Sequence, residues 1–156
     1  MDTLHDQSRI WIYQSNQAFS EEDLPIVKAK LQNFARQWVS HSRSLKASAE
    51  IYYKRFIVLT VDETQAGASG CSIDSSVRFL QQLQVEYGVD LFDRMHFSFE
   101  KNGAVHTVSR NQFQELFHNG EIDDQTTVFD TLVKTKEEFN SRFKKPLGES
   151  WHKRMV

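Results

Sequence analysis

Residues 56–61, Phe-Ile-Val-Leu-Thr-Val, are almost continuously apolar and are closed by Asp62. A run of that length and composition reads as a strand covered on at least one face, so the rest of the chain must build a sheet around it. Apolar character begins earlier, near Ala49. A single strand over 49–62 would span more than about 40 Å at roughly 3.3 Å per residue, far beyond the usual five or six residues. A hairpin turning at Lys54 and Arg55 is the expected solution.

The flanking segments set the order of elements. Residues 9–14, Arg-Ile-Trp-Ile-Tyr-Gln, are β-branched and aromatic and predict a strand. Ser20 followed by Glu21, Glu22 and Asp23 reads as a helix cap with first-turn acids, and Leu24, Val27, Leu31, Phe34 and Trp38 recur on one helical face. A second helix is predicted from Val77, Leu80, Leu83 and Tyr87, ended by Gly88. Residues 94–100 alternate, and Asn102-Gly103 is a strong hairpin signal that returns the chain through residues 104–109. The order is β-α-β-β-α-β, which predicts an α+β protein with a ferredoxin-like core, an antiparallel sheet with its helices on one face.

Beyond the core, Ser109 caps a short helix carrying Phe113, Leu116 and Phe117, stopped at Asn119-Gly120. Residues 126–129 read as a short strand, 136–143 as a helix and 145–148 as a turn before Trp151. We expect one domain over 1–156, with the core at about 8–100 and a C-terminal α/β elaboration at about 101–156.

Composition narrows the function class. The 156 residues are 39% hydrophobic and 26% charged, an ordinary globular balance, and twelve Phe imply an aromatic core or an aromatic-lined groove. A net charge of -2 argues against a protein that holds nucleic acid through its phosphates. The single cysteine, Cys71, excludes an intramolecular disulfide and a multi-cysteine zinc site and fits a reducing compartment. With no basic and apolar leader at residues 1–6 and no apolar run of membrane length, the expectation is a cytoplasmic protein without a membrane partner.

The densest cluster of chemically suggestive residues is 67–76, Gly-Ala-Ser-Gly-Cys-Ser-Ile-Asp-Ser-Ser, between the apolar strand and the second helix. A glycine-rich turn at a helix N-terminus can present N–H groups to an anion, which makes Gly67, Ser69, Gly70, Cys71, Ser72 and Asp74 candidate ligand-binding residues. Asp62 stands directly before the loop, and Trp151 and His152 can fold back on it. The spacing is not that of a Walker A loop: two residues separate Gly67 from Gly70, and Cys71 stands where the lysine would be. A purely structural reading has both glycines supply positive φ while Ser72 or Asp74 caps the helix. A catalytic reading makes Cys71 a nucleophile that needs a base, with His41 and His152 as candidates. For Asp62, formation of a turn with residues 63–64 is the competing role.

His96 and His106 share the Asn102-Gly103 hairpin, but a two-residue turn pairs Phe99 with His106 and Phe97 with Val108, which leaves His96 on the other face. No metal or other cofactor is expected. Trp11, Tyr13 and Trp151 offer a different kind of site, an aromatic interaction groove.

The run 45–51, the block from Val61-Asp62 through Asp74, and the closing Ser150-Trp151-His152 resemble a family of short uncharacterised bacterial proteins that often carry the automatic label "ABC transporter ATPase". This chain has neither a Walker A lysine nor a Leu-Ser-Gly-Gly-Gln signature, and the resemblance implies no established activity. Asn102-Gly103, Phe113-Gln114-Glu115-Leu116, Gly120-Glu121-Ile122 and Thr126-Thr127-Val128-Phe129 also resemble the core pattern of GYF-like modules, which bind proline-rich peptides. The expected function is a non-enzymatic cytoplasmic domain that binds a small anionic ligand or a protein partner at the Gly/Ser loop. The alternative is a thiol- or hydroxyl-dependent enzyme using Cys71 or Ser69.

Overall fold

The computed structural model describes residues 4–156. The chain is α+β, and its first half forms β1 (Arg9–Gln14), α1 (Leu24–Gln37), a minor hairpin of β2 (Val39–Ser40) and β3 (Arg43–Ser44), then β4 (Lys46–Tyr52), β5 (Phe56–Asp62) and α2 (Gly70–Tyr87). The second half forms β6 (His96–Lys101), β7 (Ala104–Ser109), α3 (Arg110–His118), β8 (Thr127–Phe129), α4 (Lys136–Arg142) and β9 (Lys144–Pro146), followed by two short 3-10 turns over Leu147–Glu149 and Trp151–Met155.

All seven residues of β5 are buried, as a strand in the middle of a sheet requires, and it pairs antiparallel with β1 and with β4. Its side chains alternate between two apolar clusters. Ile57, Leu59 and Val61 pack with Val27 and Leu31 of α1 and Leu80 and Leu83 of α2, which places both helices on one face. Phe56 points the other way, into a cluster with Phe129, Val133 and Phe143 from the second half.

The ferredoxin-like arrangement is not completed. The first sheet has three strands in the order β1-β5-β4, and β6, expected beside β1, lies in a second sheet of order β7-β6-β8-β9. Two causes are visible. The Asn102-Gly103 hairpin supplies β7 on one side of β6, and β8 takes Phe99 and Glu100 on the other, so β6 is drawn into a second sheet. In addition, the Gln14 amide donates to the His96 carbonyl at 3.0 Å, which places a side chain where the ladder would have begun. Gln14 Oε1 then accepts from Ser98 Oγ at 2.6 Å, Ser98 and Thr107 share a 2.7 Å hydroxyl contact, and Arg55 donates to Thr107 Oγ1 at 2.6 Å. This polar chain joins the two sheets.

Local signals account for most elements. The β6–β7 register pairs Phe99 with His106 and Phe97 with Val108, as predicted from the turn. Gly88 ends α2 at φ +62° and Gly120 follows α3 at φ +77°. At the start of α1, Ser20 accepts the Asp23 N–H in a preceding turn, and the helix begins at Leu24 with no side-chain cap. Two further tight turns, at His41-Ser42 and Tyr53-Lys54, hold non-glycine residues at positive φ and carry none of the usual Asn-Gly marking.

Candidate functional site

The junction at 67–76 is a helix cap whose polar atoms largely satisfy one another. Ser69 is the N-cap: its hydroxyl accepts the Ser72 N–H at 3.2 Å, and the Ser72 hydroxyl accepts the Ser69 N–H at 2.7 Å. The Ser72 carbonyl accepts from the Trp38 indole and from the Ser75 hydroxyl, both at 2.8 Å. The Ala68 N–H donates to Glu63 Oε2 at 2.9 Å, so one of the protein's own carboxylates already sits where an external anion was expected. Neither Gly67 nor Gly70 adopts the positive φ expected of it; the positive-φ glycines are Gly88, Gly103 and Gly120. A Cβ on Gly70 would meet nothing within 4 Å. Cys71 and Asp74 are exposed.

Asp62 closes β5 with its side chain committed. It accepts from the Thr64 hydroxyl at 2.7 Å, the Thr64 N–H at 3.0 Å and the His5 N–H at 3.1 Å, with Lys46 Nζ at 3.4 Å. These donors, led by the Thr64 hydroxyl, hold its carboxyl well below the usual range. It forms the turn that the competing reading assigned to it.

Trp151 and His152 do not join the loop. They pack against Phe97, and His152 also against Phe113, in the core of the second half. His152 is 1% exposed, its Nδ1 lies 2.6 Å from Ser150 Oγ, and burial pushes its imidazole down to about 4. Trp151 stacks on His152 and donates its indole N–H to Asp130 Oδ1 at 2.8 Å. Asp130 also accepts from the Leu132 N–H at 2.9 Å and pairs with Lys145 at 2.6 Å. Burial raises the Asp130 carboxyl, but the Lys145 and Trp151 donors outweigh it and the net direction is down.

A cleft of about 620 Å³ lies beside β1. It brings together Trp11, Tyr13 and Trp151, the three rings expected to form a groove, with walls from residues 91–97 and 131–134. All three rings are partly buried. Trp11 meets Trp38 edge-on at 6.0 Å, and Tyr13 meets Phe92 at 5.5 Å. Burial raises the Tyr13 hydroxyl, opposed by Arg94 and by a hydrogen bond with Ser76, where the 67–76 stretch approaches the cleft. Met95 and Leu132 stand on the rim, 50% and 53% exposed. Arg9, Arg94 and Lys134 also line the cleft, exposed and, among the described residues, without a carboxylate partner, while Asp93 Oδ2 lies 2.7 Å from His96 Nδ1. The Arg9 guanidinium lies 4.6 Å above the Trp11 ring.

Among the described residues no group of three or more His, Cys, Asp or Glu is placed to hold a metal ion, and no helix is long and apolar enough to cross a membrane. Compared with known proteins, the chain matches no family model, no curated protein and no solved structure.

Sequence reasoning missed Asp130, Lys145 and the three cleft cations. Asp130 had a usable signal, since it follows the short β8 strand much as Asp62 ends β5. The cations had none, being up to 125 positions apart and joined only by the fold.

Proposed function

We propose that this protein is a binding domain whose site is the cleft beside β1, taking an anionic ligand or a protein partner and carrying out no reaction of its own. The observation that supports this reading is the union of half-buried aromatic rings with three cations that have no carboxylate partner among the described residues. Burying such rings is favourable, and unpaired guanidinium groups at a rim steer and orient an anion. The Gly/Ser loop is a poorer host because Glu63 and the two capping serines use its donors. The ATPase label of the family the chain resembles is not adopted, since residues 67–76 lack the lysine that nucleotide phosphates require.

The test is an NMR titration of the full chain with 4-phenylbutyrate, a small aromatic carboxylate. The expected result is saturable shifts at the Trp11 and Trp151 indoles and at Arg94. Shifts confined to residues 67–76, or none at millimolar probe, would refute the cleft as the site.

A further inference from the structure

The cleft has one wall made of backbone. β1 is the outer strand of its sheet, paired on one side only. In an antiparallel pair successive residues direct their N–H and C=O groups alternately toward and away from the partner. Two contacts fix the phase in β1. The Ile10 N–H donates outward to the Lys134 carbonyl at 3.0 Å, whereas the Ser15 N–H donates inward to the Arg55 carbonyl at 2.8 Å. The even-numbered residues therefore face the cleft, and the N–H and C=O of Ile12 have no partner among the described residues.

The open stretch is bounded at both ends. Near Ile10 it is closed by Lys134 and by the bridge between Arg9 and Thr135, and at Gln14 the side-chain amide reaches His96. From Ile10 to Gln14 is about 13 Å at roughly 3.3 Å per residue, room for a short segment of extended chain. This is the place that a fourth strand of a ferredoxin-like sheet would fill, and β6 has left it for the second sheet. An unpaired sheet edge is usually blunted by charge, proline or a covering loop. Here the middle of the edge is bare and flanked by exposed Met95 and Leu132.

We propose that β1 receives an extended segment of a partner protein as an added strand, its amides pairing with Ile12, its apolar side chains entering the cleft and acidic residues meeting Arg9 and Arg94. The inference rests on the cleft reading above. The acidic character follows from charge complementarity, because the cations at this edge form no ion pair among the described residues. Backbone pairing supplies affinity that does not depend on sequence, and the alternate side chains select the partner.

The probe is a pool of heptapeptides, each with two acidic residues followed by Val, Ile or Leu alternating with Thr, titrated into the full chain. Binding should slow hydrogen exchange at the Ile12 N–H by at least about tenfold, because a bonded amide exchanges only on opening. N-methylation of alternate peptide amides should abolish binding. Arg94→Glu and Arg9→Glu should each weaken it by about tenfold, with unchanged melting, as expected for an exposed rim charge. Equal binding of the N-methylated pool, or unchanged exchange at Ile12 in the complex, would overturn strand addition. If no peptide in the pool binds while 4-phenylbutyrate does, the cleft is a small-ligand site and the strand proposal is wrong. If neither probe binds, the cleft reading fails with it.

Discussion

The junction at 67–76 gathers glycine, serine and cysteine into ten consecutive residues, whereas the cleft draws its lining from β1, residues 91–97, residues 131–134 and the C-terminal turn. They also treat polar groups in opposite ways. The junction pairs Ser69 with Ser72 and Ala68 with Glu63, while the cleft leaves the Ile12 backbone and the Arg9, Arg94 and Lys134 side chains without such partners among the described residues. A dense motif can record what a helix start needs in order to be stable. Unused hydrogen-bonding capacity beside apolar surface is the better sign of a missing partner.

The contrast can be broken in three ways. The largest effect belongs to Asp130→Ala, which strips Lys145 of its counter-charge and Trp151 of its acceptor; stability should fall by about 3 kcal/mol, read by urea unfolding, and binding in the cleft should weaken because Trp151 loses its anchor. A stability loss near zero would show that this wall of the cleft is not held by the Asp130 cluster.

The next effect is a pH dependence. His152 has its folded value lowered from 6.5 to about 4 by burial, so below about 6.5 the unfolded chain takes a proton that the folded chain refuses. Stability is therefore present above pH 6.5 and is lost as the pH falls toward 4, by about 2.5 kcal/mol at about pH 4.5. Denaturation of wild type and His152→Gln at both pH values checks this, since the variant should lack that component.

The smallest effects lie at the junction. Ser69→Ala should cost about 1 kcal/mol through the lost cap, and Gly70→Ala should raise stability by about 0.5 kcal/mol because its backbone is already unstrained and its surroundings are open. Neither should change 4-phenylbutyrate binding. Loss of binding in Ser69→Ala with the fold intact would return the site to the loop.

The sequence showed well what is local. Strand β5, the Asn102-Gly103 register, the Gly88 stop and the Ser109 cap all follow from residues within a few positions of one another, and all stand in the structure. The β4–β5 hairpin was expected to turn at Lys54 and Arg55 and does turn there, with Tyr53 and Lys54 as its left-handed residues, whereas the turn at His41-Ser42 was hidden because such residues rarely adopt that conformation. The departure of β6 was hidden for another reason. Whether a strand joins β1 or β8 is decided by competition between segments far apart in sequence, and its apolar alternation is the same in either sheet. The cleft inherits that limit. Its three rings were identifiable as a set, but the open edge beside them exists only because β6 went elsewhere.

The hydrogen-bonded series Gln14, Ser98, Thr107 and Arg55 has one more effect. Apolar layers can slide over one another at little cost, but hydrogen bonds weaken steeply when stretched or bent. The two sheets are thus pinned together, as if by a gauge block, beside Gln14 and His96, which line the cleft. An occupant that fits this spacing would spend little of what it gains on reshaping its host.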